Sequence, residues 1–133
     1  MKIKFKKSHG GREKYYSVKY RSQLVGDCSI RAIAHGTGLD YKKVYTDLFK
    51  LAMENGCMPN SKQNYEGYLF SMGWKKNSPM KNGSNKKLRL HSYEDQGTYI
   101  ILTRRHLTCI KDGVLYDSWD CRPWCGNSYY TKA

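Results

Sequence analysis

Asp112-Gly113, set between two short apolar runs, constrains the fold of this chain more than any other feature. A tight hairpin turn needs two consecutive residues with positive φ, and an Asp-Gly pair supplies them at low steric cost. The flanking runs, 106–111 and 114–119, are rich in β-branched and apolar residues and predict two antiparallel strands. Thr98-Tyr99-Ile100-Ile101-Leu102-Thr103, just upstream, has the composition of a central strand. The last third of the chain is therefore expected to be antiparallel sheet.

The middle of the chain has a different period. Gly26-Asp27 leads into a first helix that starts at Cys28 and that Gly36 and Gly38 are expected to close. Asp40 is placed to cap a second helix, where Tyr41, Val44, Tyr45, Leu48, Leu51 and Ala52 recur at helical spacing up to Gly56. A third helix is expected from Asn60 or Ser61, with Tyr65, Tyr68, Leu69 and Met72 on one face and Gly73 as its stop. At the N-terminus Lys2-Ile3-Lys4-Phe5-Lys6 alternates like an edge strand whose outward side is lysine. Residues 8–12 read as a flexible break, and 15–20 fit an extended segment with an ambiguous pattern. Residues 75–96 read as a loop with one short strand near Leu88-Arg89-Leu90. Helices first and strands later predict an α+β fold. The length, 133 residues, suits one domain over 1–133.

Composition narrows the class. No apolar run exceeds strand length, so a soluble, cytoplasmic protein with no membrane partner is expected. Five cysteines are an odd number, which favours reduced thiols over a disulfide framework. The net charge of +13 points to acidic partners, either an acidic protein or nucleic acid. The lysines are dispersed, however, and no zinc-finger or helix-turn-helix pattern accompanies them, so weak, non-specific nucleic-acid binding is the most that charge predicts.

Three residues carry a chemical pattern. Cys28 falls at a helix start, where unpaired N–H groups and the helix dipole favour a thiolate. His106 precedes Asp112 by six residues and Asp117 follows Gly113 by four, which brings them close across the hairpin, paired either directly or diagonally. A carboxylate there can hold one imidazole nitrogen while the other faces a thiol. Taken singly, each residue has a plainer reading: a buried apolar Cys, a sheet His, a turn carboxylate. Cys121-x-x-x-Cys125 with Cys57 or a histidine is an incomplete zinc pattern, and Arg122-Pro123-Trp124 between them fits a tail packing its tryptophan. No metal or other cofactor is expected. The twelve tyrosines and three tryptophans fall mostly at core spacing rather than forming a base-stacking surface. His35 reads as structural, while His9 and His91 lie in polar loops.

Gly26-Asp27-Cys28-Ser29-Ile30-Arg31-Ala32-Ile33-Ala34, followed by Gly38, Tyr41, Val44, Tyr45 and Leu48, resembles the first helices of small papain-like proteins of bacteriophages and bacteria. Tyr68-Leu69, Gly73-Trp74, Gly97-Thr98-Tyr99-Ile100, His106-Leu107-Thr108, Asp112-Gly113 and Asp117-Ser118-Trp119-Asp120 are similar to later landmarks of that group. The Asp-Cys pair entering a helix also resembles the bacteriocin-processing peptidases. The resemblance spans residues 26–121.

That resemblance implies a papain-like fold, with Cys28 on N-terminal helices packed against a C-terminal sheet carrying His106 and Asp117. It implies Cys28 as nucleophile, His106 as general base and acid, and Asp117 as orienting carboxylate, with Asp120 a weaker alternative. The Cys28 N–H would face the oxyanion. Gln23 is the second oxyanion donor implied, although it stands five residues upstream, one fewer than the family spacing. Asp27 opposes a thiolate next door unless it caps the helix. The expected function is a cysteine hydrolase of peptide, isopeptide or amide bonds, phage-encoded and acting on a protein or peptide in the host cytosol. The alternative is a non-catalytic protein on the same fold, engaging an acidic host protein or nucleic acid through its basic surface. The sequence specifies neither the substrate nor the oligomeric state.

Overall fold

Three helices lie against one mixed sheet of six strands in the computed structural model, which describes residues 2–17 and 26–132. In chain order the strands are β1 (Lys4–Lys7), β2 (Trp74–Asn77), β3 (Thr98–Leu102), β4 (Leu107–Lys111), β5 (Val114–Asp117) and β6 (Ser128–Lys132). Their order in the sheet is β1-β5-β4-β3-β6-β2. Only β1 on β5 is a parallel pair among the described strands. The architecture is α+β.

The helices start and stop where local chemistry dictates. α1 (Cys28–Thr37) ends with Gly38 in the left-handed region, its N–H donating to the Ala34 carbonyl. Gly36 does not close the helix; it lies inside it. A Cβ there would sit 2.6 Å from Ile100, so glycine lets α1 approach β3. α2 (Tyr41–Asn55) is capped by the Asp40 carboxylate, which accepts from the Lys42 N–H, and it stops at Gly56. α3 (Lys62–Ser71) is capped by Ser61 in the same way, through the Asn64 N–H.

The hairpin forms as the Asp-Gly pair predicts, with Asp112 at φ 48° and Gly113 at φ 84°. Its strands pair with Ile110 opposite Leu115 and Cys109 opposite Tyr116. β3 lies beside β4, and its run Ile100-Ile101 does not alternate in polarity because both faces of the sheet are covered. Ile100, Cys109 and Tyr130 join the helix-side core with Ile33, Val44, Leu48 and Leu69. Ile101, Ile110 and Leu115 point the other way, into a second cluster with Ile3, Leu90, Tyr93 and Cys121.

Several expectations change. Residues 75–77, expected in a loop, belong to edge strand β2, and the unexpected β6 is an interior strand between β3 and β2. The strand expected near Leu88-Arg89-Leu90 reduces to one bridge between Arg89 and Cys125, followed by a 3-10 turn over Leu90–Ser92. The break at 8–12 is tethered: Ser8 hydrogen-bonds His35 at 3.0 Å and Arg12 donates to the Tyr41 hydroxyl at 3.0 Å. A 3-10 turn at Arg12–Lys14 follows, and the extended segment expected over 15–20 lies partly outside the described residues. Both sheet edges carry exposed lysines, on β1 and at Lys75 and Lys76 of β2, which discourages pairing with another chain. Among the described residues no helix is long and apolar enough to cross a membrane.

Candidate active site

The hairpin register decides how His106 and Asp117 meet. Continued one step past Cys109–Tyr116, it sets Asp117 opposite Thr108. His106, two residues before Thr108, is the diagonal neighbour on the same face. The imidazole Nε2 lies 2.6 Å from Asp117 Oδ2. The ring is fixed at the turn as well, because the Thr103 N–H and hydroxyl both donate to the His106 carbonyl, at 2.9 and 3.0 Å. Trp119 covers the ring, with centroids 4.9 Å apart.

Cys28 reaches the same imidazole from the other layer. As the first residue of α1, which packs on β4, its half-buried thiol is coupled to His106, whose imidazole acts on its ionisation. Burial pushes the thiol upward. The bond to His106, a backbone hydrogen bond from Leu107, and the charges of His106 and Arg31 outweigh it, and the thiol is held below its ordinary range. For His106 burial opposes protonation, but the bonds to Asp117, Cys121 and Cys28 prevail and raise the ring to about 11. Asp117 is held low: burial works against the carboxylate, and His106, Thr108 and Arg31 overcome it. The three groups favour a thiolate, an imidazolium and a carboxylate in a row.

A buried ionic network supports that row. Asp27 (3% exposed) does not cap α1 with its side chain. It pairs with Arg31 one turn along the helix, accepts from the Tyr41 hydroxyl at 2.6 Å, and lies 3.5 Å from Arg12. Arg31 (4% exposed) reaches on to Asp117, Nη2 to Oδ1, at 3.5 Å. The charge of Asp27 is thus compensated by two arginines rather than left facing the thiolate. Arg31 links the segment before Cys28 to the carboxylate that holds His106. The spacing Asp27-Arg31 (i, i+4) was the only sequence signal of this network.

The remaining candidates fall elsewhere. Asp120, the alternative carboxylate, is engaged by Arg122 at 2.7 and 2.9 Å. Gln23 lies outside the described residues. His35 is structural, stacked on Tyr116 with centroids 4.9 Å apart. The zinc pattern is not assembled, since Cys125 donates to the Lys87 carbonyl and Cys57 to Asn64. Cys121, which the sequence placed in that pattern, sits at the site instead, 3.7 Å from Asp117 Oδ2. One atom each from His106, Asp117 and Cys121 lies within 4.8 Å of the others, close enough for a cation. An ion there would displace the 2.6 Å bond that orients the ring.

A cleft of about 270 Å³ opens at the thiol. Cys28, Tyr65, Leu102 and Leu107 line its inner part, while Asn60, Lys62, Arg104 and Arg105 form its rim. Comparison with protein-family models, with curated proteins and with solved structures finds no match for this chain.

Proposed function

We propose that the protein is a papain-like cysteine hydrolase that cleaves a peptide, isopeptide or amide bond with Cys28 as nucleophile, His106 as acid and base, and Asp117 as orienting group. The observation that carries this reading is an imidazole hydrogen-bonded to a buried carboxylate at 2.6 Å, together with a helix-start thiol whose pKa that same imidazole lowers. Cys109, buried in β4, is by contrast pushed up to about 12 by desolvation, which disfavours the thiolate.

The chemistry follows from the charges. The Cys28 thiolate attacks the carbonyl carbon, forming a C–S bond as the carbonyl π pair moves onto oxygen. The Cys28 N–H, at the start of α1, stabilises that oxyanion in this reading. The intermediate collapses, the C–N bond breaks, and the imidazolium gives its proton to the leaving amine. Neutral His106 then takes a proton from water, which attacks the thioester and releases the acid and the thiol. Asp117 holds the ring throughout without taking the proton. The resemblance to small phage proteins extends the reading to a protein or peptide substrate in a host cytosol.

Cleavage of a diverse peptide mixture, read by mass spectrometry with Cys28→Ala as control, tests this reading. New termini produced by the wild type and absent from the variant are expected. A wild type whose Cys28 labels no faster with iodoacetamide than its buried cysteines overturns it.

The net charge of +13 supports a second reading, a non-catalytic protein that holds an acidic partner. Sub-micromolar nucleic-acid binding at physiological salt, retained by Cys28→Ala, would favour that reading; phosphate contacts alone weaken steeply with salt.

A further inference from the structure

The turn that delivers His106 to the thiol also delivers two arginines. Thr103-Arg104-Arg105-His106 joins β3 to β4, and the Thr103 bonds to the His106 carbonyl tighten it. Arg104 and Arg105 therefore stand at the rim of the Cys28 cleft by the same geometry that fixes the imidazole. Arg104 is further held over the Trp124 ring, 5.2 Å from its centroid, and Trp124 packs on Trp119, which covers His106.

Lys62, at the start of α3, completes the rim from the other side. Its ammonium lies beside that of Lys76, and Glu66, the carboxylate next to both, is already bonded to Lys76 at 3.0 Å and to the Tyr130 hydroxyl. Among the described residues neither Arg104, Arg105 nor Lys62 has a carboxylate within salt-bridge distance. The cleft has no Asp or Glu in its lining. The adjoining groove, which shares Lys62, Leu102 and Arg104 and continues past Lys76, has none either. Three cations are thus gathered at the cleft that Cys28 lines, and among the described residues the one carboxylate near any of them, Glu66 beside Lys62, is already bonded to Lys76 and Tyr130.

We propose that this rim is a substrate subsite for acidic side chains, so that the polypeptide entering the cleft carries Asp or Glu next to the bond presented to Cys28. The inference rests on the reading of Cys28 as nucleophile. A peptide fits better than nucleic acid. At about 270 Å³ the cleft is smaller than small-molecule pockets, which run from about 300 Å³ upward. Its one aromatic, Tyr65, is 4% exposed and offers no face for a base to stack on.

Two alkylating reagents of equal size test the subsite without a known substrate. Rates of Cys28 modification by iodoacetate and by iodoacetamide are compared by peptide mass mapping in the wild type and in Lys62→Gln, Arg104→Gln, Arg105→Gln and the triple variant. Because His106 itself attracts an anion, the informative quantity is the change in the iodoacetate-to-iodoacetamide ratio. The ratio should fall by about twofold in each single variant and by about tenfold in the triple variant at low salt, as additive free energies of exposed charge pairs give. The difference should shrink as salt is added. All three residues are exposed, so each variant should fold, which circular dichroism checks.

A ratio unchanged in the triple variant overturns the subsite, whether or not any peptide is cleaved. A ratio that falls while no peptide is cleaved upholds it and rejects the hydrolase reading alone. A poly-glutamate peptide should protect Cys28 from iodoacetamide, and poly-glutamine should not. If single-stranded DNA of equal charge protects better at physiological salt, the cleft is a nucleic-acid site and the proposal fails.

Discussion

Two cysteines share one imidazole, and their surroundings drive them in opposite directions. His106 acts to lower the pKa of both Cys28 and Cys121, and burial raises both thiols. At Cys28 the imidazolium, the Leu107 backbone bond and the charge of Arg31 reverse that effect. At Cys121 the neighbouring Asp117 carboxylate, 3.7 Å away, adds to it, and the thiol stays above its ordinary range. The influence of a histidine therefore does not by itself lower a thiol's pKa. The sign of the remaining charges decides, and the fold puts cations and N–H groups on one side of the ring and a carboxylate on the other.

Removing the shared ring should break the contrast most completely. His106→Ala is expected to cut turnover by about 10²–10⁴-fold, the usual contribution of a positioned acid-base group. Cys28 should then label with iodoacetamide no faster than an ordinary exposed thiol, as rates across pH would show.

Asp117→Ala removes the feature that separates the two thiols. Cys28 labelling should slow by up to about a hundredfold, the cost of a misplaced catalytic group. Arg31 loses a buried partner as well, so denaturant titration should show a loss of about 3–5 kcal/mol. Asp120→Ala, which disturbs only the Arg122 pair, should leave labelling close to wild type. The reverse order would mean that the wrong aspartate has been assigned.

The pH dependence of stability should have a definite sign. His106 is raised to about 11 in the fold, above an ordinary imidazole. Its charged interactions therefore stabilise the fold fully below the ordinary imidazole range and are lost as pH rises toward the folded value. In a Cys28→Ala background, which removes the thiol's own titration, the Tm advantage of His106 over His106→Gln should be largest near pH 6 and shrink near pH 10. An advantage that grows with pH would contradict the assigned charge state.

The smallest effect is expected at Cys121. Cys121→Ser keeps a neutral donor beside Asp117, so Cys28 labelling should change by about twofold or less. A larger loss would mean that Cys121 takes part in positioning the ring.

The features legible in the sequence were those set by local chemistry. Asp40 and Ser61 cap their helices because a side-chain oxygen two or three residues before an amide needs no tertiary context. Asp112-Gly113 fixed the hairpin, and the hairpin fixed the diagonal meeting of His106 and Asp117. The features missed depend on distant partners. Trp74-Lys75-Lys76-Asn77 has two exposed lysines and no clear alternation; it is a strand because β6 lies beside it, with Trp74 opposite Lys132. Nothing in the sequence marks Arg31 as buried beyond its i, i+4 spacing from Asp27; its place depends on Asp27 and the distant Asp117 converging on it.

The pairing of β1 with β5 has a consequence in time. Synthesis delivers β1 and the Cys28 helix first, and the hairpin region with His106 and Asp117 follows only after α2, α3 and β2. Until then β1 has no neighbour, since β5 is its partner, with Lys7 opposite Asp117 and the Ser8 N–H on the Asp117 carbonyl at 2.8 Å. β6, which lies against β3, emerges later still. A nascent chain thus carries the thiol for several seconds without the imidazole that ionises it. The order of translation therefore withholds the groups that lower the Cys28 pKa until the rest of the sheet has closed around it.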